Sequence, residues 1–123
     1  MSLTVTTSAG DNGCFNIDFY GAPAAGDNTL VAAITGRSLI VKAFSLYGDA
    51  AANVVFFKTG TTSHMGTTSN AVSLAAAGPA VGDVHQYNDG GWFSSAVSES
   101  LVLNCSTTEV IHGSVTIKPV GSA

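Results

Sequence analysis

The residues able to do nucleophilic or metal chemistry are two cysteines and three histidines: Cys14, Cys105, His64, His85 and His112. Their spacing matches neither the paired ligands of a zinc site nor the HExxH helix of a metalloprotease. A cysteine–histidine nucleophilic site forms only in the folded protein, and nothing in this sequence favours one. We therefore expect no catalytic centre, no metal and no cofactor, and we interpret the chain as non-enzymatic.

The two cysteines are expected to be unpaired thiols. In extended strands Cys14 shares a face with polar Asn16, whereas Cys105 shares a face with Leu101 and Leu103. The alternative, a disulfide closing this long loop, would stabilise the fold by roughly 4 to 5 kcal/mol on the chain-entropy model. Because the two cysteines lie on faces of different character, we predict that they are free thiols.

Oxygen-rich segments are interpreted as turns. Asp11-Asn12-Gly13 and Asp27-Asn28 offer carboxylate and amide oxygens, but neither extends into the twelve-residue calcium loop of an EF-hand. Asn104-Cys105-Ser106 matches the glycosylation pattern but lies inside a predicted strand. We assign no ligand to these segments.

Two aromatic residues flank a polar turn and form a possible loop site. Tyr87 and Trp92 lie on either side of Asn88-Asp89-Gly90-Gly91. Aromatic rings beside a carboxylate such as Asp89 can stack on a sugar ring or anchor a protein interface. The alternative is that Trp92 plugs one end of the core.

Charge is unusually scarce in this chain. Of 123 residues 46% are hydrophobic and only 10% are charged, against roughly a quarter in an ordinary soluble domain. A chain of this length fits a single domain over residues 1–123. With so few charges, its surface must consist mainly of small neutral side chains, which indicates that much of this surface faces other protein. The four basic residues do not cluster, so nucleic acid is not an expected partner.

The start of the chain carries no basic and apolar sequence typical of a secretory signal. No segment approaches the length of a membrane span. We therefore expect a protein that is made and kept in a cytosol and that does not bind a membrane.

Short runs rich in valine, isoleucine, phenylalanine and threonine alternate with turn residues and predict an all-β, antiparallel fold. We predict strands near 2–7, 14–20, 29–35, 38–47, 53–59, 71–75, 100–105 and 109–118. About eight strands indicate a jelly-roll-like β-sandwich.

Two hairpins are predicted from short connections. The run 38–47 is expected to pair with 53–59, and Leu101–Cys105 with 110–118 through Ser106-Thr107-Thr108. Residues 61–93 are expected to run partly as long loops.

Side-chain alternation predicts which residues form the core. The predicted core residues are Phe15, Ile17, Phe19, Val55, Phe57, Ile111, Val115 and Ile117.

The first predicted hairpin breaks the pattern, because both of its faces are largely apolar. Leaving the outer face in water would forgo roughly 1.5 to 3 kcal/mol for each large side chain. We therefore predict a protein interface at Ile40, Phe44, Leu46, Val54 and Phe56. The alternative is that residues 61–93 cover this face within the chain.

Residues 38–118 resemble small β-sandwich virion proteins of tailed phages. The resemblance rests on the runs SLIVKAFSLYG, NVVFFKTG, GWF, SLVLN and VIHGSVTI, and is greatest to capsid decoration, or cement, proteins. It implies a structural protein on the capsid exterior, assembled in the host cytoplasm. Its implied partners are the major capsid protein or another virion protein and further copies of itself, as a dimer or trimer. The alternative function is a carbohydrate- or receptor-binding domain of a phage fibre or tail, with Tyr87, Asp89 and Trp92 as its site.

Overall fold

The computed structural model describes residues 3–10, 12–48, 53–60, 62–64, 72–74, 82–85 and 87–121. All regular structure in these ranges is β. The strands are β1 Thr4–Ala9, β2 Phe15–Gly21, β3 Gly26–Val31, β4 Ser38–Gly48, β5 Asn53–Thr59, β6 Thr62–His64, β7 Val72–Leu74, β8 Gly82–His85, β9 Phe93–Ser94, β10 Leu101–Cys105 and β11 Ile111–Val120. A helix suited by length and hydropathy to cross a bilayer does not occur in these ranges.

The strands form two antiparallel sheets. Sheet A has the order β1-β2-β11-β4-β8, with β9 also paired to β4. Sheet B has the order β3-β10-β5-β6, with β7 also paired to β5. Successive strands from β2 to β5 therefore alternate between the two sheets.

The pairing pattern is that of a jelly roll. The chain behaves as a long ribbon folded at its middle: β2 pairs with β11, β3 with β10, β4 with β8 and β9, and β5 with β6 and β7. The ribbon then rolls up, so that β11 also pairs with β4 and β10 with β5. The predicted all-β sandwich of jelly-roll type is confirmed.

Both predicted hairpins are wrong, although the strands themselves are present. β4 lies in sheet A and β5 in sheet B, and the same holds for β11 and β10. The chain therefore passes from one sheet to the other between β4 and β5 and again between β10 and β11, instead of turning back within one sheet. A short link favours neighbouring strands, but it does not distinguish a neighbour in the same sheet from one in the facing sheet.

The core between the sheets follows the predicted alternation closely. Ile17 and Phe19 of β2 are at most 2% exposed. The other predicted core residues that are buried are Val55, Phe57, Ile111, Val115 and Ile117. Phe15 is 38% exposed, because it lies at the end of β2 where the sandwich is open. The core prediction thus fails only at this position.

The region 61–93 contains more strands than predicted. The expected strand at 71–75 is present as β7, but β6, β8 and β9 were not predicted. These three strands have two to four residues each, too few for a period-two pattern to stand out.

Candidate functional site

A β-bulge at Lys42 overturns the predicted two-sided apolar strand. Thr116 of β11 is opposite Ala43, and the next residue, Ile117, is opposite Val41, so Lys42 is an extra residue in β4. An extra residue shifts every later side chain to the other face. Phe44 and Leu46 therefore join Leu39 and Val41 in the core.

Two of the five predicted interface residues lie in the core instead of on a surface. Phe44 and Leu46 are 3% and 1% exposed and belong to the core cluster, so assigning them to an outer face is wrong. Phe56 does lie on the outer face of sheet B, between core residues Val55 and Phe57, yet it is only 5% exposed within the single chain. Ile40 is half-buried, and the side chain of Val54 lies outside the described residues.

Residues 88–92, which follow β8, are hydrogen-bonded to β4. The Asn88 amide donates to the Lys42 carbonyl oxygen at 2.8 Å, and the Trp92 amide donates to the Val41 oxygen at 2.8 Å. The Lys42 ammonium donates to the Asp89 carbonyl oxygen, and the Gly90 amide donates to Asn88 Oδ1 at 3.0 Å. This network holds the polar turn in place, so the predicted loop site has a fixed backbone.

The predicted loop residues do not form one site. Tyr87 and Asp89 line a pocket of about 430 Å³ together with Asn12, Cys14 and Thr116. Desolvation, with the nearby Cys14 thiol and Asp89 carboxylate, raises the pKa of the Tyr87 phenol. Trp92 is 40% exposed and is not among the residues that line this pocket.

The two cysteines, which are the candidate nucleophiles, are both enclosed by the fold. Cys14 and Cys105 are both buried free thiols. Cys14, which was predicted to share a face with polar Asn16, is only 5% exposed, so that face assignment is wrong. Burial raises the pKa of the Cys105 thiol to about 12, which disfavours the nucleophilic thiolate. In the described part of the chain, histidine, cysteine and acidic side chains form no cluster of three that would hold a metal ion.

The first strand overhangs the sandwich. β1 pairs with β2 on one side and ends the order of sheet A, while sheet B ends at β3. All six residues of β1, Thr-Val-Thr-Thr-Ser-Ala, are exposed. The strand has no charge, no proline and no bulge in its register with β2, which are the usual features that protect an edge from further pairing.

An apolar groove opens beneath this overhang. Its volume is about 230 Å³, and its lining includes Phe15, Leu30, Ile34 and Pro119. Val5 on β1 is 37% exposed and Ile34 is 36% exposed. The groove adjoins the edge strand, because Thr7 of β1 is among its lining residues.

The outer face of sheet A carries a second groove, of about 420 Å³. Its side chains lie in two rows that cross four strands. The register places Thr4, Tyr20, His112 and Tyr47 opposite one another in the first row, and Thr6, Asp18, Ser114 and Ser45 in the second. We call these the aromatic row and the hydroxyl row. Neither was singled out by the sequence analysis, because the rows depend on the register of four strands that are distant in sequence.

Comparison with protein-family models, curated proteins and solved structures finds no significant match to this chain.

Proposed function

We propose that this protein is a non-enzymatic structural protein that assembles through the edge of β1, and that its setting is the exterior of a phage capsid. The observation that carries the proposal is the exposed, uncharged edge strand. A free edge presents unpaired backbone N–H and C=O groups, and β1 has none of the side chains that discourage another strand from adding to it.

The occupant that we propose for this edge is a second copy of the chain. Antiparallel pairing of β1 with β1 is self-complementary about a two-fold axis and would join sheet A of both copies. The same contact would bring the partner against the groove lined by Phe15 and Ile34. Neutral side chains along β1 create no like-charge repulsion between the copies.

The capsid setting is supported by the resemblance of residues 38–118 to decoration proteins and by the low charge of the chain, 10% of residues. Jelly rolls also form viral capsid domains, although fold alone does not define function. A decoration protein would bind the outer shell by shape complementarity and require no catalytic residue.

Light scattering tests the dimer. We expect a mass about twice the 12.4 kDa of the chain. Val5→Lys places a charge beside the edge and should give a monomer, whereas Val97→Lys, at a 61% exposed position away from β1, should leave the dimer intact. A monomer at all concentrations, or equal behaviour of the two variants, would contradict assembly through β1.

Cosedimentation with phage heads that lack the protein tests the setting. We expect the wild-type protein to pellet with the heads and to raise their resistance to heat. A dimer that never pellets with the heads would overturn the capsid role while leaving the contact at β1 intact.

A further inference from the structure

We infer that the groove on the outer face of sheet A is a binding site for a neutral oligosaccharide. The inference is independent of the proposed assembly, because the groove rests on the geometry of four strands of one chain. It also differs in position from the loop site at Tyr87, Asp89 and Trp92.

The aromatic row supplies stacking surfaces. Tyr20 is 61% exposed at the centre of the groove. On the next two strands of the row, the rings of His112 and Tyr47 pack with centroids 5.1 Å apart and planes inclined by 36°. Exposed amphipathic rings on a rigid sheet can contact the apolar face of a sugar at little cost in side-chain entropy.

The hydroxyl row supplies hydrogen-bond partners alongside these rings. Asp18 is exposed and has no side-chain hydrogen bond within the described part of the chain, so its carboxylate is available to accept from ligand hydroxyls. The Ser45 and Ser114 hydroxyl oxygens lie 3.2 Å apart and can both donate and accept. Strands are spaced about 4.8 Å apart, so each row is about 14 Å long, which suits an oligosaccharide better than a single ring.

The charge of the groove selects among ligand classes. Its lining contains Asp18 and neither lysine nor arginine; all four basic residues lie elsewhere. A carboxylate without a cation disfavours phosphate, nucleic acid and acidic sugars. Polyhydroxylated neutral ligands complement rings, hydroxyls and one carboxylate.

An array of neutral and sialylated oligosaccharides, probed with the purified protein, tests this site. We expect binding to neutral oligosaccharides and none to sialylated ones. Tyr20→Ala should weaken binding to the best neutral oligosaccharide about tenfold. Asp18→Asn should weaken it as well, because the amide accepts fewer hydrogen bonds from vicinal hydroxyls.

The matched control is Tyr87→Ala, which removes a second exposed tyrosine, 53% exposed, from the other pocket. It should leave array binding unchanged, and thermal melting should show that all three variants remain folded. The inference is overturned if no neutral oligosaccharide binds, if sialylated ones are preferred, or if Tyr20→Ala and Tyr87→Ala act alike. It is also overturned if Tyr20→Ala abolishes binding to capsid heads but leaves oligosaccharide binding unchanged, since the groove would then bind protein.

Discussion

The buried ammonium of Lys42 donates a hydrogen bond to the carbonyl oxygen of Asp89. Lys42 is 6% exposed and is the extra residue of the bulge in β4. This hydrogen bond therefore joins the bulge in β4, which reverses the side-chain pattern of that strand, to the polar turn before β9. The bulge and the turn should be stable only together.

Lys42→Met should uncouple the turn from the strand. The substitution keeps the apolar stem but leaves the Asp89 carbonyl without its donor, so the free energy of unfolding should fall by about 1 to 3 kcal/mol. Urea denaturation measures this loss. Lys118→Met, at a half-buried position of β11, is the control and should have a smaller effect. Equal stability of Lys42→Met and wild type would show that the contact contributes nothing.

Phe44→Ala should destabilise the isolated chain. The Phe44 ring packs edge-on against Phe57, with centroids 5.0 Å apart, and lies 6.4 Å from the Phe93 ring. Deleting such a buried ring typically costs about 3 to 5 kcal/mol. Chemical denaturation should show this loss at a protein concentration where the wild type is monomeric. If Phe44→Ala left the stability of the monomer unchanged but abolished assembly, Phe44 would be an interface residue and not a core residue.

Stability should decline slightly in acid through Asp27. The Asn104 amide nitrogen donates to Asp27 at 2.7 Å and the Lys58 ammonium at 2.9 Å, and these contacts lower the carboxyl pKa from 3.8. A group with a lower pKa in the folded state adds stability above its unfolded pKa and loses it as pH falls through the folded value. The loss should thus begin near pH 3.8 and continue below it.

The magnitude of this acid effect should be under about 1 kcal/mol, because Asp27 is half-exposed and solvent screens the pair. Urea midpoints between about pH 2 and pH 6 measure it. Asp27→Asn should reduce the decline of the urea midpoint in acid. Asp18→Asn, which alters a carboxyl without these hydrogen-bond partners, should not reduce it. An identical pH profile for Asp27→Asn and wild type would contradict the role of these hydrogen bonds.

The two thiols should differ in reactivity towards a thiol reagent such as iodoacetamide. Cys105 is enclosed in the core and its pKa is raised to about 12, so it should stay unmodified in the folded protein at pH 8. Cys14 lines an open pocket and should react first. Cys14→Ser should abolish the faster phase. In urea without reductant both thiols should react, and a count of zero would reveal a disulfide.

The sequence by itself determined the local properties of this fold. Strands β2 and β11 alternate between core-facing and outward-facing residues, so Ile17 and Val115 could be assigned to the core from their own segments. A period of two needs only neighbouring residues to be visible, and these strands are long enough to show it.

Tertiary structure decided the pairings, the bulge and the two grooves. A short link does not reveal whether the next strand joins the same sheet or the facing one, so β4 and β5 were wrongly paired. The bulge at Lys42 shifts the backbone register by one residue, and no residue in the sequence indicates it, so Phe44 and Leu46 were assigned to the wrong face. The groove with Tyr20 and His112 draws on four strands distant in sequence, and only their register brings these residues together.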